Sequence, residues 1–144
     1  YIELVLGNIA RETESTTVRT TLGQLQTAAN AYVAPAKRDA ARVQVADAMW
    51  ALAQAAEPGS DSQFQFVQAL ASSAATPAQW ETVRQLRAGE VELDGLEIDT
   101  DLSWQLLVAL AAGGGGWLQP AVLGGAAHRQ PGRAVWLWHW LSAR

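Results

Sequence analysis

The sequence predicts an all-α domain followed by an irregular Gly/Trp-rich C-terminal tail. Three observations lead there. Apolar residues recur at helical steps through residues 1–112, two segments open with a capping-box pattern, and the composition changes abruptly after Ala112.

The elements follow in order. Residues 1–13 carry Ile2, Leu4, Val5, Leu6 and Ile9 and read as a first helix. In the second, Val18, Leu22, Leu25, Ala29 and Tyr32 recur at steps of four and three, which places them on one face. Ala34-Pro35 interrupts that pattern, and proline suits a first helical position, where its missing N–H would have had no partner. The third helix spans residues 35–56, with Val43, Ala46, Trp50 and Ala53 on one face, and Pro58-Gly59 ends it.

Ser60-Asp61-Ser62-Gln63 and Thr76-Pro77-Ala78-Gln79 both match the capping box, in which a hydroxyl accepts from the third residue's N–H and the glutamine can return a bond. The fourth helix then buries Phe64, Val67, Leu70 and Ala71, and the fifth buries Trp80, Val83 and Leu86. Gly89 stops the fifth. Residues 90–98 could form a hairpin around Asp94-Gly95, but one small hairpin has no sheet to join. They read instead as a loop packed by Val91, Leu93, Leu96 and Ile98. Asp99-Thr100-Asp101 opens a sixth helix carrying Leu102, Trp104, Leu106 and Leu107, its carboxylates meeting the positive end of the helix dipole. Six helices with short connections fit either a closed bundle or stacked antiparallel pairs, and no sharp internal repeat chooses between them.

A chain of 144 residues is long enough to bury a core as one domain. Its net charge of −4 argues against nucleic acid, whose binders concentrate basic surface. The absence of cysteine excludes disulfides and thiolate zinc sites and suits a cytoplasmic location. No membrane span is expected, because the longest apolar run near the C-terminus is broken by His139 and a span needs about 20 apolar residues. No secretory leader is legible, and the start at Tyr1 reads as an excerpt beginning inside a helix.

The constellations that suggest chemistry have plainer readings. Glu90, Glu92, Asp94, Glu97, Asp99 and Asp101 lack the spacing of a calcium loop, and their alternation with apolar residues reads as carboxylates facing water or capping a helix. His128 and His139 stand eleven apart without a His-Glu-x-x-His pattern, whereas catalytic zinc takes three protein ligands. Four consecutive glycines, Gly113 to Gly116, lack the Lys-Ser/Thr that completes a phosphate loop and read as a linker. Arg38 and Arg42 share a face at i, i+4 and could meet a peptide carboxylate, but a solvated helix face explains them as well. Trp50, Trp80 and Trp104 occupy apolar positions and read as core anchors. No catalytic, cofactor-binding or metal-binding residue is assigned to this chain.

Several segments together carry a family likeness: Thr21-Leu22-Gly23-Gln24-Leu25, Tyr32-Val33-Ala34-Pro35-Ala36, Ala56-Glu57-Pro58-Gly59-Ser60-Asp61, Gln65-Phe66-Val67, and above all Leu93-Asp94-Gly95-Leu96 with Asp99-Thr100-Asp101-Leu102-Ser103-Trp104. In that order they resemble the C-terminal helical domain of actinobacterial-type aminopeptidase N, in the M1 family of zinc metallopeptidases. The resemblance covers residues 1–112. It implies an α-solenoid, a superhelix of HEAT-like helix pairs that caps a catalytic domain and shapes the peptide chamber. It also implies that the partners are the catalytic domain of the same polypeptide and peptide substrates, with no nucleic acid and no membrane. Zinc, held in that catalytic domain by His-Glu-x-x-His and a further Glu, would do the chemistry there. Neither that motif nor the Gly-x-Met-Glu-Asn amine-binding segment occurs here, so this chain alone is expected to hydrolyse nothing. The alternative is a freestanding helical-repeat module that binds a partner protein.

Residues 113–144 depart from the family. They contain no acid, three arginines, seven of the 12 glycines and four of the seven tryptophans, with Trp136, Trp138 and Trp140 alternating. A GC-rich gene read in a shifted frame produces this kind of change. On that reading, another frame of the same DNA encodes a polar, acid-containing helical continuation, and sequencing the gene through this region checks it.

Overall fold

The computed structural model describes residues 1–113, and these are all-helical, with no strand among them. The expectations placed on the tail, including its histidines and tryptophan cluster, lie outside the described residues. Six α-helices follow one another: α1 (Ile2–Asn8), α2 (Ser15–Thr27), α3 (Arg38–Ala55), α4 (Asp61–Ser73), α5 (Pro77–Ala88) and α6 (Thr100–Gly113). Short 3-10 turns cover Ile9–Arg11 and Pro35–Lys37, and a π-turn covers Ala28–Tyr32.

Helix starts are where local sequence and structure agree best. Ser60 Oγ accepts from the Gln63 N–H at 3.1 Å, and Thr76 Oγ1 accepts from the Gln79 N–H at 3.3 Å. Gln79 Oε1 returns a bond from the Thr76 N–H, closing a full capping box, whereas Gln63 Oε1 reaches one residue further back, to the Gly59 N–H. Asp99 Oδ1 caps α6 by accepting from the Leu102 N–H at 2.7 Å. Gly89 ends α5 with φ of 72°, the left-handed conformation that a Cβ disfavours.

α4 is the central helix. It packs most extensively on α3 and also meets α2, α5 and α6, while α1 lies against α2 and α3. The fully buried side chains include Leu25, Met49, Val67, Leu70, Leu86, Leu102 and Leu106, so α2 through α6 each contribute to one continuous core.

Four sequence-based placements need correction. In α4, Phe64 is only partly buried and Phe66 takes the core position, because the helix turns its buried side toward Gln63, Phe66, Val67 and Leu70. Tyr32 is 84% exposed, not part of the buried stripe of α2. The Val33 N–H bonds back five residues to Ala28 O, and this wider turn takes Tyr32 off the face that Val18, Leu22, Leu25 and Ala29 share. Trp104 is 65% exposed, not a core anchor. The buried stripe of α6 is Leu102, Leu106 and Leu110 at steps of four, and a residue two positions along lies on the opposite side. In α3 the buried face is centred on Met49 with Val45, Ala46 and Ala53, leaving Trp50 and Val43 only partly buried. Trp80 is buried, as expected.

Buried glutamine amides join the helices. Gln63, 2% exposed, donates through Nε2 to Ala53 O at the end of α3 and to Asp94 O in the loop after α5. Gln79 Nε2 donates to Val43 O and Asp47 Oδ1 of α3. Gln65 Nε2 donates to both oxygens of Ser15, while its Oε1 has no partner among the described residues. Beside Gln63 two turns touch backbone to backbone. Gly95, at φ of 74°, sits so close to Pro58 and Gly59 that a Cβ would lie 2.5 Å from the Gly59 nitrogen.

Because Gln63 satisfies several buried groups at once, Gln63→Leu is expected to lower stability by about 2–3 kcal/mol. Gln65→Leu, with one oxygen already unmatched, should cost about 1 kcal/mol. Gly95→Ala combines strain with overlap and should cost at least about 2 kcal/mol. Urea unfolding followed by circular dichroism measures all three.

Candidate functional surface

A broad concavity lies between the start of α4 and residues 89–99. This loop leaves α5 through Gly89, with the Glu90 N–H bonded to Gln85 O, and turns at Asp94-Gly95, where the Leu96 N–H bonds to Leu93 O at 3.0 Å. Gln63 fastens the turn from below. Val91, Leu93, Leu96 and Ile98 are partly buried against the core, which agrees with the packed-loop reading and not with a hairpin. The resulting open cleft has a volume of about 920 Å3. Its floor includes Phe64, Leu86 and Leu96, and carboxylates stand around it with no basic residue in the lining.

The acids do not act as one group. Asp99 is engaged as a helix cap, and Glu90 points to Arg84. That arginine joins two carboxylates: Nη2 lies 2.8 Å from Glu81 Oε1 and 2.7 Å from Glu90 Oε2, with a further bond from Nη1 to Glu90 Oε1 at 3.0 Å. Hydrogen bonds from Arg84 hold both glutamates below the ordinary carboxylate range, and the two glutamates in turn raise Arg84. The cluster is solvent-facing, so it orders the end of α5 without adding much stability.

Arg38 and Arg42 do not converge on an anion site. Arg38 Nε donates to Val33 O, tying the start of α3 to the segment before it. Arg42 lines a separate apolar groove of about 470 Å3 with Trp80, Trp104, Leu106 and Val108, and its buried Nε has no partner among the described residues. The sequence pointed to Gln63 and Gln79 as caps but not as bridges between helices. Their position three residues into a helix was the available signal, whereas the reach of the side chain to a distant carbonyl leaves no local trace. No three His, Cys, Asp or Glu side chains among the described residues are placed to hold a metal ion. No helix among them is long and apolar enough to cross a membrane.

The Arg84 cluster has a testable titration. A depressed carboxyl pKa contributes stability above the unfolded value and loses it as pH falls through the folded value. In Arg84→Gln, the Glu81 and Glu90 side chains should therefore titrate at higher pH than in the parent chain, and carboxyl NMR shifts followed from about pH 7 to about pH 2 report both.

No family model matches this sequence. Aminopeptidase N of Streptomyces lividans is 36% identical to it over 114 residues, a stretch that makes up 79% of this chain. The chain spans only 13% of that relative's length. Through that stretch, this chain is related to aminopeptidase N.

Proposed function

We propose that the chain is a non-catalytic stretch of an aminopeptidase, a hydrolase that removes N-terminal amino acids from peptides. In this reading it is part of the C-terminal helical domain of an M1-type zinc enzyme. It packs on the catalytic domain of the same polypeptide and helps wall the chamber that peptides enter. Zinc and the reacting groups belong to that other domain. The relationship to aminopeptidase N over most of this chain, coupled with the small share of the relative that it spans, carries the proposal.

The packing pattern supports a stacked array. Each helix meets its neighbour in sequence at most joints, and next-but-one pairs also meet, α1 with α3, α2 with α4 and α4 with α6. Two layers of antiparallel helices produce that pattern, and it is the reason for preferring a HEAT-like solenoid over a closed bundle. The exposed apolar side chains add to this. Leu4 and Tyr1 are at the α1 end, while Trp104 and Val108 are on α6. A helix that is apolar on two opposite faces has a second neighbour to meet, as an internal member of a longer array does. A cytoplasmic location is proposed with the same reading, on the absence of cysteine.

Two measurements test this. The DNA ahead of Tyr1 should encode His-Glu-x-x-His in the same frame, and a long upstream region without it removes the aminopeptidase reading. Trp104→Ser should change the stability of the 144-residue chain by no more than about 0.5 kcal/mol, as expected for an exposed site. In the longer polypeptide the same substitution should cost about 2 kcal/mol or more, because there the indole is covered by the next helix. Thermal melts of both proteins make the comparison.

A further inference from the structure

The cleft between the start of α4 and residues 89–99 combines an apolar floor with an acidic rim. Its floor is apolar, with Phe64, Leu93, Leu96 and Ile98 held partly buried and still reachable. Its rim carries Asp61, Glu92, Asp94, Glu97 and Asp99, and no lysine, arginine or histidine lines it. A groove that takes only apolar side chains gains nothing from the carboxylates around it.

The cleft's walls are also held in place. Gln63 and the backbone contact of Gly95 with Pro58 and Gly59 fix the loop to the start of α4, so little ordering is required when a ligand enters. Asp99 is already committed to capping α6, which leaves Asp61, Glu92, Asp94 and Glu97 with no ion-pair partner among the described residues.

We infer that this cleft is a docking site for an extended basic peptide segment in which arginine or lysine alternates with apolar residues. Alternate side chains of an extended peptide point to opposite sides, so the apolar set meets the floor while the cationic set faces outward, from where the long arginine or lysine stems bend back to the rim carboxylates. The charge match fixes the sign of the partner and the apolar floor fixes its amphipathic pattern. This inference rests on the cleft alone and stands or falls separately from the aminopeptidase reading.

The test is fluorescence anisotropy of the full 144-residue chain with a labelled short peptide alternating leucine and arginine. Saturable binding is expected. Replacing each arginine by citrulline, which keeps shape and removes charge, should weaken it at least about tenfold, as should raising NaCl from ~50 to ~500 mM. Glu92→Gln with Glu97→Gln should weaken binding at least about fivefold, whereas Glu3→Gln with Glu14→Gln, an equal charge change elsewhere, should leave it within about twofold. Equal binding of the citrulline peptide, equal losses from both double variants, or no saturable binding overturns the proposal. The peptide series uses the unaltered chain, so it decides the matter even if a variant fails to fold.

Discussion

The side-chain amide of Gln63 is the contact on which the arrangement of the middle helices depends. It is buried, and its oxygen and nitrogen between them engage the turn before α4, the last turn of α3 and the loop beyond α5. A buried amide is favourable only when its polar atoms are matched, so the geometry of those three segments is specified together. Hydrophobic burial supplies the drive for α3 and α4 to associate, but leucines and alanines tolerate sliding. The amide does not. Gln79 does the same between α5 and α3, and Gln65 between α4 and the start of α2. The central helix therefore has an apolar body and polar fasteners at defined points.

What could be read from the sequence was local. Thr76 and Gln79, Ser60 with Gln63, Gly89 and Asp99 mark helix ends through groups that interact within a few residues, and the structure places each at its expected end. Periodicity also located the buried faces of α2 and α5. What was not legible depended on partners far away in sequence or on a change of helical pitch. Tyr32 left its stripe because α2 finishes in a π-turn, which apolar spacing does not announce. Trp104 was assigned to the core because it is large and apolar, yet α6 is apolar on more than one side and spacing alone does not say which side meets α4. The cleft was only half visible. Its acids were plain, but their placement around an apolar floor came from the fold of residues 89–99.

The functional reading of the described residues rests on their shape and on the relationship to aminopeptidase N. Among the described residues the buried glutamines join helices, and the ion-pair cluster around Arg84 is solvent-facing. Exposure of large apolar side chains is concentrated at the two ends of the helix order, apart from Tyr32. The proposed roles rest on these exposed apolar side chains and on the acidic cleft.

The contact between Gly95 and the Pro58-Gly59 turn has a consequence for how such a chain can change over time. The contact is mostly main chain, so exchanging side chains does little to absorb a displacement of one turn against the other. An insertion or deletion in either turn shifts a carbonyl or an amide directly against its counterpart. Length changes in these two loops, separated by α4 and α5 in sequence, are therefore expected to be coupled, and a graft of one turn into another helical array is expected to need its partner as well.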